Sequence, residues 1–358
     1  MNDIVVNATS GRRIEPQSDY WITLDGRDIS RAIAPYLNYL TLTESRADEA
    51  DTLNLVLDDT KGTLDIPKRG VTIKLSIGWV GQPLVDKGTF TVDEIEYHGA
   101  PDQITISARS ASMTDALHER RDKSWHNQSI GAIVKAIAAR HALTPALGEA
   151  LAGINIDHID QTAESDMSFL TRLAKRYDAV MTVKEGRLLF MPIGTAASAS
   201  GKPLPSLTIE RRDGDSYRYH VSQRESYTSV RARWHASKKG KTRSVIVGGD
   251  NNSSTKLLPE TYATEAEAMS AAKAEYARTQ RGQASFDITL AYGRPDVYPE
   301  MPVTLRGFKP EIDGTPWLVK RVASRLDSNG GYTSSLEMEM RDDPTTDRHR
   351  THFRRGGK

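Results

Sequence analysis

The 358-residue chain contains no cysteine. That excludes disulfides, thiolate nucleophiles and cysteine-ligated zinc, and it fits synthesis in a reducing cytoplasm. No apolar run approaches the roughly 20 residues that a membrane span needs. The N-terminus Met1-Asn2-Asp3-Ile4-Val5-Val6 lacks a basic stretch followed by an apolar one, so no signal peptide is expected. There is no excess of either charge: 48 basic residues stand against 47 acidic ones, so neither nucleic acid nor an anionic membrane is an expected partner. Three catalytic signatures are also missing: the Gly-x-Ser-x-Gly elbow, the phosphate-cradling P-loop and the Gly-x-Gly-x-x-Gly turn.

What is present is a chain long enough for two or three domains, with 38% hydrophobic residues to build cores. Residues 1–19 read as a polar extension. Residues 20–111 read as β. Trp21-Ile22-Thr23-Leu24 ends at an Asp25-Gly26 turn, and Thr52–Leu57, Val71–Ile77, Thr89–Val92 and Ile104–Ser107 alternate in polarity. Short strands with turn residues between them predict a small barrel or sandwich. Residues 112–152 read as helical, with an apolar stripe of Ile130, Ile133, Val134, Ile137 and Ala138. Residues 153–193 read as a small α/β unit, and the Ala-, Ser-, Gly- and Pro-rich stretch 194–205 as a linker.

A second β region is expected over 206–342. Its strands are Ser226–Trp234, Ser244–Val247, Ser285–Leu290, Val303–Leu305, Trp317–Val322 and Ser335–Met340, with Lys238-Lys239-Gly240-Lys241 as a solvated hairpin tip. A capping box, Thr264-Glu265-Ala266-Glu267, opens an inserted helix over 264–278. The two β regions read as distant copies. Val71-Thr72-Ile73-Lys74 matches Val303-Thr304-Leu305-Arg306, Phe90-Thr91-Val92 matches Trp317-Leu318-Val319, and Ile104-Thr105-Ile106 matches Leu336-Glu337-Met338, in the same order.

Within 153–193, Ser165 is placed to cap a helix and Asp166 to suit its dipole. Leu170, Leu173, Ala174 and Tyr177 make one apolar face. Val180–Val183 and Leu188–Met191 then form a hairpin around Lys184-Glu185-Gly186, stopped by Pro192. The wording of this unit carries more information than its physics. Gln161, Glu164, Ser165, Asp166, Phe169, Leu170, Arg172, Leu173, Ala174, Tyr177 and Gly186 stand in a pattern that resembles the late control protein D family of contractile phage tails. It is similar, too, to the hub portion of type VI secretion spike proteins. Upstream, Ser124-Trp125-His126-Asn127-Gln128-Ser129-Ile130 and Ala138-Ala139-Arg140-His141 resemble the same family. Members often carry Gly after the final Tyr, where left-handed geometry suits it; here Asp178 stands there.

The resemblance implies an α+β, mainly β chain. Two similar antiparallel β-barrel domains would form a ring, with an intervening helical and small α/β region outside it. It implies a structural hub, a homotrimer adapting a sixfold tail tube to a threefold spike in a phage virion or phage tail-like bacteriocin particle. The implied partners are other copies of the chain, the tail tube protein, the tail spike protein, further baseplate proteins and the tape measure protein. No oligonucleotide-binding-type barrel or β-helical repeat follows residue 342, so the spike is expected as a separate chain, unlike a fused secretion spike.

A cell-wall hydrolase carried on a tail is the alternative. Glu164 and Asp166 could be read as its carboxylate pair, but helix capping already accounts for both. Asp115, His118, Asp122 and His126 read as a polar helix face. His349 and His352 have helical spacing but no third ligand nearby. No metal, cofactor or catalytic group is expected. The tail 343–358 carries Arg348, Arg350, Arg354, Arg355 and Lys358 with no acid after residue 347, and is a candidate docking segment.

Overall fold

A computed structural model describes residues 16–46, 50–110, 115–184, 186–198, 201–221, 227–236, 241–249 and 254–341. The basic tail, His349, His352, Glu185 and most of the Lys238–Lys241 tip lie outside the described residues. The first β unit contains β1 (Ser18–Leu24), β2 (Arg27–Asp28), the short α1 (Ser30–Ile33), β3 (Leu37–Ser45), β4 (Thr52–Asp58), β5 (Thr72–Trp79), β6 (Val85–His98) and β7 (Gln103–Ser110). Alternation turns Leu40, Leu42, Leu53, Leu55, Leu75, Phe90 and Ile104 into one core.

Between the β units lie β8 (Arg120–Ser129), α2 (Ile130–Arg140), β9 (Thr144–Leu147), α3 (Glu149–Ala152), β10 (Asn155–Ser165), α4 (Asp166–Arg176), β11 (Ala179–Lys184) and β12 (Arg187–Pro192). Within 112–152 the chain is helical at a single 3-10 turn, Asp115–His118, in α2 and in the short α3, but β8 and β9 are strands: β8 pairs antiparallel with β10 and β9 parallel with β12. The reason is that β8 is polar almost throughout and anchors one large apolar group, Trp125, so it carries no alternation. The apolar stripe of α2 and that of α4 meet in a second core with Trp125, Met181 and Phe190.

The second β unit contains β13 (Leu207–Glu210), β14 (Gly214–Val221), β15 (Ser229–Ala236), β16 (Lys241–Gly248), β17 (Thr255–Tyr262), α5 (Glu265–Arg281), β18 (Ala284–Leu290), β19 (Pro302–Arg306), α6 (Pro310–Asp313), β20 (Trp317–Asp327) and β21 (Tyr332–Met340). Strands β15–β17 and α5 form a separate layer with its own core, inserted between β14 and β18. Thr264 caps α5 by accepting from the Glu267 N–H at 3.2 Å, while the Glu267 carboxylate reaches Arg176 of α4 at 3.1 Å.

Without the insert, the two β units have the same strand order: β1-β5-β6-β7-β4-β3 and β13-β19-β20-β21-β18-β14. In strand direction they differ at one place: β1 runs antiparallel to β5, whereas β13 runs parallel to β19. Two register shifts coincide. One falls between Val92 and Glu94 in β6 and between Val319 and Arg321 in β20; the other between Leu37 and Tyr39 in β3 and between Gly214 and Ser216 in β14. This register places Phe90 with Trp317, as the sequence words do. It places Ile73 with Val303 and Ile106 with Leu336, two residues from the sequence matches and on the same strand face.

No pairing among the described residues closes either unit into a barrel. Instead β20 runs antiparallel to β3, from Arg321 opposite Ser45 to Asp327 opposite Tyr39, and joins the units in one 13-stranded sheet. Leu326 and Tyr332 of the second unit are buried in the core of the first. The stretch 194–205 is anchored rather than free: Gly194 donates its N–H to Glu300 at 3.0 Å, Leu204 N–H donates to Ala196 O at 2.7 Å, and Ala196 is buried.

Candidate functional site: the motif unit and the strand edges

In the motif unit, Ser165 accepts from the Ser168 N–H at 3.1 Å, which starts α4 where the sequence predicts. Phe169, Leu170, Leu173, Ala174 and Tyr177 are buried. Gly186 occupies the hairpin turn at φ +71°, the left-handed region that favours glycine.

Asp166 does more than meet the helix dipole. It is fully buried, and its carboxylate accepts from Arg140 at 2.8 and 2.9 Å, from Gln161 Nε2 at 2.9 Å, and contacts His141 Nε2 at 2.7 Å. Burial works to raise its pKa, but Gln161, His141 and Arg140 outweigh it and hold the carboxyl below the ordinary range. Glu164 is engaged separately by Arg172, at 2.7 and 3.1 Å. An acid catalyst needs a raised pKa and a free approach; these carboxylates are saturated by cations and amides.

The Asp115-His118-Asp122-His126 grouping is not on a helix face, because β8 is a strand. Asp122 accepts from the Ala163 N–H at 2.7 Å, and His126 stacks on His158 with ring centroids 4.6 Å apart. Among the described residues, no three or more metal-type ligands converge. A recess of ≈ 240 Å³ lies between 196–206 and β19–β20, lined mostly by Pro, Leu, Val and Trp317. It is smaller than the roughly 300–1,000 Å³ of small-molecule sites.

Two features escaped the sequence reading. The first is a chain of ion pairs linking the modules. Arg281 of α5 binds Asp178 at 2.7 and 2.5 Å and Glu339 at 3.1 Å; Glu339 binds Arg46 at 2.6 Å; Arg46 also pairs with Glu300. Burial raises the Glu300 carboxyl, with Arg46 acting against it. The second is two bare strand edges. Strand β14 is exposed along nearly its whole length, and no described strand covers its outer side. In β6, residues 94–98 lie beyond the reach of β5 and pair only with β7. The large exposed apolar groups Tyr97, Tyr217, Tyr219 and Val221 all sit on these two edges.

A family model described as the phage tail baseplate hub (GPD) matches residues 40–330. The probable baseplate hub protein of Escherichia phage P2 is 42% identical, covering 90% of this chain and 93% of that one. Its counterpart in Escherichia phage 186 is 41% identical, covering 90% and 92%. Among solved structures, the prophage MuSo2 43 kDa tail protein from Shewanella oneidensis is similar at 17% identity and TM-score 0.66, covering 90% of this chain and 98% of that chain. The c3393 protein of E. coli, a component of the type VI secretion system, is similar at 11% identity and TM-score 0.55, covering 86% and 74%. The two solved structures speak for the fold alone.

Proposed function

Because the chain belongs to the phage tail baseplate hub (GPD) family, we propose that it acts as a homotrimeric hub joining a sixfold tail tube to a threefold spike. Baseplate hub is the description its relatives carry, and none of those names is an enzyme's. A mismatch of three against six must be absorbed by some component. One chain with two alike units can absorb it, since three copies closed by rotation present six similar faces about 60° apart by that symmetry.

The observation that carries this reading is the shared strand order of the two β units, with two register shifts at matching positions. Units 20–111 and 206–342 would line the ring, and 112–193 would stand outside it. The motif residues Gln161 to Tyr177 and Gly186 then have a structural role, holding that outer unit together. The chain would be made in the bacterial cytoplasm and built into the baseplate. The tube protein, the spike protein, neighbouring baseplate proteins and the tape measure protein are its proposed partners, with the basic tail as one docking segment.

The test is the mass of the purified chain, alone and mixed with its spike protein, by light scattering. Three chains per particle is the expected result. A stable dimer or hexamer, or unequal radii of the two β units in a reconstruction of the particle, overturns this role.

A further inference from the structure

We propose that the outer edge of β6 of one copy pairs antiparallel with the outer edge of β14 of the next, with Tyr97 opposite Tyr219. The proposal rests on the ring reading above and specifies its inter-chain contact. The argument is quasi-equivalence between the two units. Strand β3 corresponds to β14, and β6 corresponds to β20. Within one chain, β20 already covers β3. The same pair of positions elsewhere in the molecule is β6 and β14, and there both edges are bare.

Burial measures the missing neighbour. Through their partners Leu55 and Ile288, and Leu53 and Phe286, Leu40 is equivalent to Tyr217 and Leu42 to Tyr219. Leu40 and Leu42 are 0% exposed; Tyr217 and Tyr219 are 45% and 38% exposed, and Val221 is 55% exposed. On the other side, Ser324 is 0% exposed and its equivalent Tyr97 is 49% exposed. Apolar groups this large on an open strand edge are what a sheet-extending partner would cover.

The register follows from the matched shifts. In the chain's own junction, Val322 faces Glu44, Ala323 faces Thr43, Ser324 faces Leu42 and Arg325 faces Thr41. Carried to the bare edges, Ile95 faces Val221, Glu96 faces His220, Tyr97 faces Tyr219 and His98 faces Arg218. One face then joins tyrosine to tyrosine and isoleucine to valine. The other sets Glu96 directly opposite His220, with Arg218 as its diagonal neighbour, and His98 opposite Arg218. The contact is heterologous, so it generates a ring when the rotation closes.

The chain has no cysteine, so an engineered pair reports alone. The double variant Tyr97→Cys/Tyr219→Cys, oxidised with copper phenanthroline, is expected to run mainly as covalent multimers on a non-reducing gel, and as monomer after reduction. Glu96→Cys/His220→Cys tests the opposite face of the same register. Tyr97→Cys/His220→Cys, slipped by one residue, is expected to stay at least fivefold less cross-linked. Glu96 and His220 are exposed and Tyr97 and Tyr219 lie at the surface rather than in a core, so folding is expected to be preserved, and circular dichroism checks it. A chain that assembles by light scattering, yet cross-links neither in-register pair above the slipped one, overturns the junction and leaves the ring reading intact. A chain that remains monomeric at every concentration overturns both.

Discussion

Asp178 and Arg281 face each other through two hydrogen bonds, 2.7 and 2.5 Å, across 103 residues of sequence. Asp178 follows the last turn of α4 at φ +51°, in the left-handed region that favours glycine. Glycine would relax the backbone but could not hold Arg281. The aspartate accepts a local conformational cost and supplies the carboxylate that ties α4 to α5, and through Glu339 to β21.

Asp178→Gly is therefore expected to destabilise the chain although it removes backbone strain. Losing one partner of a buried pair costs about 3–5 kcal/mol when the other charge is left alone, and toward the lower end here because Arg281 keeps Glu339. Relief of the left-handed aspartate returns about 1–2 kcal/mol. A net loss of about 2 kcal/mol, seen as a lower Tm, is the expected outcome. In Arg281→Met the same substitution should cost much less, since no cation is then left behind. Equal losses in both backgrounds would disprove the coupling.

Leu173 is fully buried on α4. Leu173→Ala is expected to lose about 2–5 kcal/mol in denaturant unfolding, the usual range for a large-to-small core change. Leu173→Asp should give no soluble particle. Wild-type melting of either variant would mean that the apolar face of α4 is not in the core.

Acid should act through Asp166. Its folded pKa lies below its ordinary value, so its contribution is complete above about pH 4, the unfolded carboxylate value. It is lost as pH falls through the lower folded value. Glu300 and Glu44 have raised carboxyls and work in the opposite direction, losing stability as pH rises. Asp166→Asn is expected to lower stability at pH 7 by about 2 kcal/mol, less than a fully buried pair because Arg140 is partly exposed. Its stability between pH 5 and 2 should also fall less steeply than that of the wild type. Parallel curves would place the acid limb elsewhere.

Removing residues 346–358 is expected to leave Tm within about a degree, because that segment carries no apolar periodicity. If it docks on an acidic partner surface, association should weaken most at low salt, where screening is least. Association unchanged at every salt concentration would end the docking role.

The parts legible in the sequence are those whose reasons are local. The cap at Ser165, the stripe from Leu170 to Tyr177, the turn at Gly186 and the cap at Thr264 each depend on neighbours a few residues away. The β words at Phe90 and Trp317 were legible because alternation is local as well. Strands β8 and β10 were not, since two polar ribbons that bury mainly Trp125, Ile156 and Ile159 carry no pattern. Nor were β3 and β14 marked, although both sheet junctions depend on them. Their meaning lies in which strand comes to lie beside them. For the same reason Asp166 reads as a dipole partner in sequence and becomes a buried hub only when α2 brings Arg140 and His141 against it.

The pairing of β3 with β20 sets a clock on synthesis. Ser45 and Arg321, which meet side by side, are 276 residues apart. A ribosome adding about 5–20 residues per second takes on the order of 15–55 s to cover that distance. Throughout that interval the first β unit can be folded, yet its Leu40–Leu42 edge waits without the neighbour that finally buries it. Each nascent chain thus passes through a period when another chain's strand could take the place of its own, so slower translation or crowded polysomes would raise the yield of swapped chains.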